Sequence, residues 1–136
     1  MQNDRDCYYY PLSGAIQHGE SAEEAVIREI FEETGIEFEV DHLAFVHENL
    51  FIGNTNSILE GLRCHEVTFY FLMNWIPGTR LSDNSITCGG LLEHSVWLEI
   101  SKLNKLDRYF FPEFFGEELK NMSGGVKHIV AVSEQF

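Results

Sequence analysis

Residues 14–36, GAIQHGESAEEAVIREIFEETGI, restrict what this chain can fold into more than any other stretch. A glycine-bearing loop leads into Ser21, and Glu24 follows three residues later, the spacing of a capping box. Gly35 lies just past the last residue of the periodic pattern, where a left-handed terminator is expected. The pattern therefore predicts a helix that begins near Ser21 and stops at Gly35. At about 100° per residue, Val26, Ile27, Ile30 and Phe31 form an apolar arc. Glu29, Glu32 and Glu33 form a second arc, broken only by the small side chains of Ala22 and Ala25. Carboxylates three and four residues apart meet on the helix surface and destabilise an isolated helix by roughly 0.2–0.5 kcal/mol per pair. The alanines predict close packing of that face, where unpaired carboxylates would cost more still. A hard divalent cation such as Mg²⁺, which takes oxygen ligands and keeps waters, resolves the conflict. For three glutamates taken alone, a solvated acidic face in an acidic protein is the favoured reading.

The full stretch narrows that choice. Gly14, five free positions, Glu20, seven free positions, then Arg28-Glu29-Ile30-x-Glu32-Glu33-x-Gly35-Ile36 agrees with the Nudix box at all nine defined positions. The chain thus resembles the Nudix hydrolases, which cleave a nucleoside diphosphate linked to another moiety. The resemblance implies an α/β fold, a Nudix-type α/β/α sandwich with a mixed β-sheet and the box helix against the sheet. It also implies Glu29, Glu32 and Glu33 as ligands of Mg²⁺ or Mn²⁺, with Glu33 bridging and Glu29 helping to orient or deprotonate the water. Glu20 would ligate a metal or orient a ligand. Arg28 is expected to hold the box glutamates as a guanidinium clamp. Leu12-Ser13-Gly14 stands where family members often carry Pro-Gly-Gly, so the second glycine is kept and the first is serine. Gly14 would let backbone approach phosphate, or serve simply as a turn residue.

At 136 residues, 44% hydrophobic and 13% aromatic, the chain is expected to form one globular domain over residues 1–136. A net charge of −13 argues against long nucleic acid as a partner. It is compatible with a small nucleotide, because a metal-loaded site reverses the local sign. No apolar run approaches the roughly 20 residues of a membrane span, and MQNDRDC is not a secretory leader. Cys7, Cys64 and Cys88 are odd in number and lack metal spacing, which suits reduced thiols in the cytoplasm.

Cys7-Tyr8-Tyr9-Tyr10 is expected to form a short strand ending at Pro11. Only thirteen residues precede Gly14, fewer than the family usually carries, which implies missing N-terminal sequence or a lost strand. Strands are expected at 43–51, at 66–73 in a central position because of its near-continuous apolarity, at 95–99 and at 126–132. Residues 53–63 form a turn-rich connection, a substrate loop or a mobile surface loop. Residues 77–90 are loop-like, a short helix is expected at 101–106, and another opens at Pro112 and runs over 113–120.

Nudix enzymes often take a catalytic base from outside the box. Glu93, four residues before Trp97, fits that position best, ahead of Glu66 and Glu60, although an isolated glutamate faces solvent by default. His65-Glu66 is not a zinc signature, since position 69 is Phe. Tyr8, Tyr9, Tyr10, Phe51, Phe69, Phe71 and Trp97 could stack on a base, but at strand spacing core packing is the commoner role. The activity implied is pyrophosphohydrolysis of nucleoside diphosphate derivatives, with oxidised nucleoside triphosphates and ADP-ribose-like compounds both open. A nucleotide-sensing module without turnover is disfavoured by the intact glutamates. An isoprenoid-type isomerase would need one of the three cysteines in the site. Homodimers are frequent in the family, but no stretch marks an interface.

Overall fold

The computed structural model describes residues 1–3, 8–54, 57–81, 85–86, 92–106 and 108–136. In chain order its elements are β1 (Gln2–Asn3), β2 (Tyr8–Tyr9), α1 (Ala22–Thr34), β3 (Val40–Ile52), β4 (Arg63–Met73), β5 (Ser85–Ile86) and β6 (Leu92–His94). A 3₁₀ helix (Ile100–Lys105), β7 (Tyr109–Phe110), α2 (Phe115–Glu118) and β8 (Lys127–Val132) complete it. The fold is α/β with a mixed sheet, in keeping with the Nudix class. Its contacts fall into two compact units, Met1–Glu39 with Trp75–Ser123, and Val40–Asn74 with Gly124–Phe136. No helix among the described residues is long and apolar enough to cross a membrane.

The first unit is built on α1, which the sequence terminates at both ends. The Ser21 hydroxyl accepts from the Glu24 amide at 3.2 Å, and the Glu24 carboxylate accepts from the Ser21 amide at 2.7 Å. Gly35 adopts the left-handed conformation at φ 73° and donates its amide to Phe31 at 2.7 Å. The buried face differs from the expected apolar arc. Ala25, Ile30 and Thr34 are buried, whereas Ile27 and Phe31 are 38% and 47% exposed. Periodicity located the helix but misjudged its rotation, because Thr34 hides its polarity by donating to Ile30 O at 2.6 Å.

Two short ladders accompany α1. β6 lies between β1 and β5, antiparallel to both, with Gln2 opposite His94 and Asn3 opposite Glu93. β2 runs parallel to β7. The strand expected at 95–99 is displaced to 92–94: the ladder lies there, and Trp97 is instead 53% exposed and edge-to-face with Trp75. Cys7 and Cys88, and 82–84 and 87–90 of the 77–90 loop, lie outside the described residues; Ser85–Ile86 is a strand. The second helix is shorter than expected, four residues, because the chain turns through 111–114 and Phe114 supplies no side-chain cap. Phe115 anchors it, buried against Phe110 and Phe114 with ring centroids 5.6 and 5.0 Å away.

The second unit is the sheet β4-β3-β8, antiparallel on one side of β3 and parallel on the other. Within this sheet β3 is central and β4 lies at an edge, the reverse of the expectation for 66–73. The polarity of β3 disguised it. Glu48 accepts from His65 of β4 at 2.7 Å and from His128 of β8 at 2.6 Å, so a charged residue ties the three strands together. Those two bonds, the His128 one foremost, hold the Glu48 carboxyl below its usual range. The apolar residues Val67 and Phe69 of β4 are exposed instead.

Because the cap of α1 depends on one hydroxyl, Ser21→Ala is expected to cost about 1 kcal/mol. A thermal melt should shift down by about 4 °C; an unchanged midpoint would show that packing alone starts the helix.

Candidate functional site

The loop before α1 and the face of α1 that carries its glutamates are joined through one side chain, Arg28. Its Nε and Nη2 donate to the two Glu20 oxygens at 3.1 and 2.6 Å, a bidentate pair. Nη1 donates to Glu29 Oε1 at 2.7 Å and more weakly to Glu32 Oε2 at 3.4 Å. Nη2 also donates to the Ala15 carbonyl at 3.1 Å, which ties the loop backbone to the helix. Glu20 is further fixed by the Gln17 amide at 2.7 Å. The guanidinium contacts and that amide hold the Glu20 carboxyl below its usual range, and the same carboxylates push Arg28 further up. Arg28 thus bonds to three carboxylates at once, with Glu20 as its principal partner.

Gly14 is defined by close approach. A Cβ placed there would lie 1.8 Å from the Glu29 carboxyl carbon, so only glycine lets the loop press onto that side chain. Among the described glycines, those with positive φ are Gly19, Gly35, Gly61 and Gly78, so Gly14 does not need its freedom for a left-handed turn. The Glu29 side chain is consequently well covered, 19% exposed, while Glu32 is 56% exposed.

Glu33 carries the unusual electrostatics. Its Oε2 is buried and makes no hydrogen bond among the described residues. Burial is the largest influence on its carboxyl, followed by the charges of Glu93 and Glu29, and together they push its pKa up to about 7. The Met1 amine acts in the opposite sense. Glu33 and Glu93 are 60 residues apart in sequence, and the fold of the first unit brings their charges into mutual influence. The Tyr10 phenol donates to Glu93 Oε1, a link that the sequence did not signal. Trp75, the partner of Trp97, was also missed, since nothing in the sequence connects the two rings.

Glu66 and Glu60 lie in the second unit, as does Cys64, a free cysteine in β4. Among the described residues, which include Glu29, Glu32 and Glu33, no group of three or more His, Cys, Asp or Glu side chains stands where together they could hold a metal ion. A smaller set suffices for a hard cation of the Mg²⁺ kind. Such an ion binds through one or two carboxylates and completes its shell with water and phosphate oxygens. A buried carboxylate oxygen without a partner is the feature that would accept it.

A family model for the NUDIX domain matches residues 4–114, most of the chain and parts of both compact units. No curated protein matches the chain. The protein belongs to the NUDIX family, and its general class is therefore that of hydrolases acting on nucleoside diphosphate derivatives.

Two outcomes follow from this geometry. A carboxyl whose pKa is raised on folding binds more protons when folded, so stability declines as pH climbs from 4.5 to about 7, and the full cost stands above that. In chelator, Glu33→Gln should melt roughly 4 °C above wild type at pH 8 and at the same temperature at pH 4.5; equal melting at pH 8 would mean Glu33 is not strained. Gly14→Ala should displace Glu29 and lower turnover at least tenfold with little change in melting temperature, and wild-type turnover would show that the loop yields freely.

Proposed function

We propose that residues 1–136 act as one Nudix hydrolase domain, a divalent-metal-dependent pyrophosphohydrolase of the cytoplasm, where the Cys64 thiol stays reduced. It would split a nucleoside diphosphate derivative into a nucleotide and a phosphorylated remainder, with nucleoside triphosphates and ADP-ribose-like compounds as the substrate classes. The observation that carries this reading is Glu33: a buried carboxylate oxygen without a hydrogen bond, crowded by the charges of Glu93, Glu29 and Glu32. A protein has little reason to keep such an oxygen unless something positive binds it.

Glu29, Glu32 and Glu33 are the residues that would hold Mg²⁺ or Mn²⁺, with Glu33 foremost. When bound, the ion neutralises phosphate charge and lowers the pKa of a coordinated water. The chain's own residues do the rest. Arg28 fixes the Glu29 carboxylate and holds the Gly14–Glu20 loop to the helix through Ala15 and Glu20. Gly14 keeps the loop backbone against the Glu29 side chain. Glu93 accepts the proton of the attacking water. The water oxygen forms a bond to phosphorus as the bridging P–O bond breaks, and the leaving phosphate carries away the bonding electron pair.

The test is a panel of nucleoside diphosphate derivatives, including ADP-ribose and nucleoside triphosphates, incubated with Mg²⁺ and analysed by product mass. Two phosphorylated products per turnover are expected, with activity abolished by EDTA and restored by Mg²⁺. Glu32→Gln and Glu33→Gln should each lower kcat by about 10²-fold or more while leaving the fold intact. Binding without products would make the protein a nucleotide sensor. Unchanged turnover in both variants, or activity that persists in chelator, would remove the assignment of the ligands.

A further inference from the structure

We propose that Tyr10 is a positioning residue that holds the Glu93 carboxylate beside Glu33, through the hydrogen bond its phenol donates to Glu93 Oε1. This rests on the reading of Glu33 and Glu93 as parts of one hydrolytic site. Three observations carry it. First, the backbone alone does not fix the Glu93 carboxylate. It comes from β6, a three-residue strand, on a side chain with several rotamers. A donor that engages one carboxylate oxygen selects among those rotamers, and hydrogen bonds to carboxylates are among the stronger kinds available.

Second, Tyr10 is anchored well enough to serve. Its amide donates to Met1 O at 3.0 Å, and its carbonyl accepts from the Met1 amine at 2.6 Å. The preceding carbonyl, Tyr9 O, accepts from Phe111 N at 2.8 Å. Met1 is itself buried, with Ser95 donating its hydroxyl to the thioether at 3.1 Å. The Tyr10 ring also meets Tyr8 edge-on, centroids 5.8 Å apart. Third, Tyr10 and the β6 ladder share a neighbour. The chain that bonds to Tyr10 through Met1 continues directly into β1, which pairs Asn3 with Glu93. The backbone carrying the phenol and the backbone carrying the carboxylate are therefore set by the same short segment.

The experiment is a double-mutant cycle of Tyr10→Phe and Glu93→Gln, read in two ways on the full chain. Tyr10→Phe removes one oxygen and keeps the ring against Tyr8. With ADP-ribose or whichever panel compound turns over fastest, Tyr10→Phe should lower kcat about tenfold with KM unchanged. In the Glu93→Gln background the same change should have no further effect, because its target is gone. Mn²⁺ affinity, measured by electron paramagnetic resonance without nucleotide, supplies the second reading. It should change by a similar factor in Tyr10→Phe and Glu93→Gln, and no further in the double variant. Additive effects in both readings, or a Tyr10→Phe protein identical to wild type in both, would overturn the inference. If Glu33→Gln abolishes hydrolysis while Tyr10 and Glu93 act independently, this inference alone fails. If no compound is hydrolysed but the Mn²⁺ cycle is non-additive, the functional reading fails and the tether stands.

Discussion

The candidate site depends on how one guanidinium is shared. Arg28 sits within reach of Glu20, Glu29 and Glu32, and it satisfies Glu20 with two bonds before it reaches the others. That allocation ties the loop to the helix and orders Glu29, yet it leaves Glu33 with no cationic side chain among its principal influences. Burial pushes the Glu33 carboxyl up to about 7, whereas the neighbouring Glu32 side chain is exposed to water. Two glutamates adjacent in sequence thus have different surroundings: Glu32 is exposed and reached by Arg28, whereas Glu33 is covered and feels the charge of Glu93.

The legible part of this chain is the part whose structure is local. A capping serine and a terminating glycine act within one turn, so α1 could be read directly. Gly14 was legible as a required glycine, but its reason was not. The expected choice lay between phosphate approach and a turn, and the nearest obstruction turned out to be Glu29, fifteen residues on. The rotation of α1 was obscured by Thr34, a polar residue that satisfies itself on the helix backbone.

Longer-range features were legible only where hydrophobicity tracked burial. It misled in the β4-β3-β8 sheet, where the central strand carries Glu48, and two histidines from neighbouring strands make that charge tolerable. The apolar run of β4 suggested the interior, but strand order is set by pairing, and β3 pairs on both sides. Glu93 was expected from its place in the family pattern. Its phenolic partner was out of reach, because a contact between residues 83 apart leaves no trace in periodicity or spacing.

The charge balance of the first unit bears on what can approach it. Around α1, Glu20, Glu29, Glu32, Glu33 and Glu93 face Arg28 and the Met1 amine, an excess of negative charge in a chain whose net charge is −13. A diphosphate brought to such a surface without counterions would be repelled. A site of this sign can serve a phosphorylated substrate only if cations arrive first or with it. A half-protonated buried carboxyl near neutral pH is well suited to that exchange, since a divalent ion can replace its proton without the full desolvation cost of creating a bare charge. Were Glu33 to hold the ion as proposed, the strain on its carboxyl would raise the free energy of the ion-free state and so favour the binding on which the proposed hydrolysis depends.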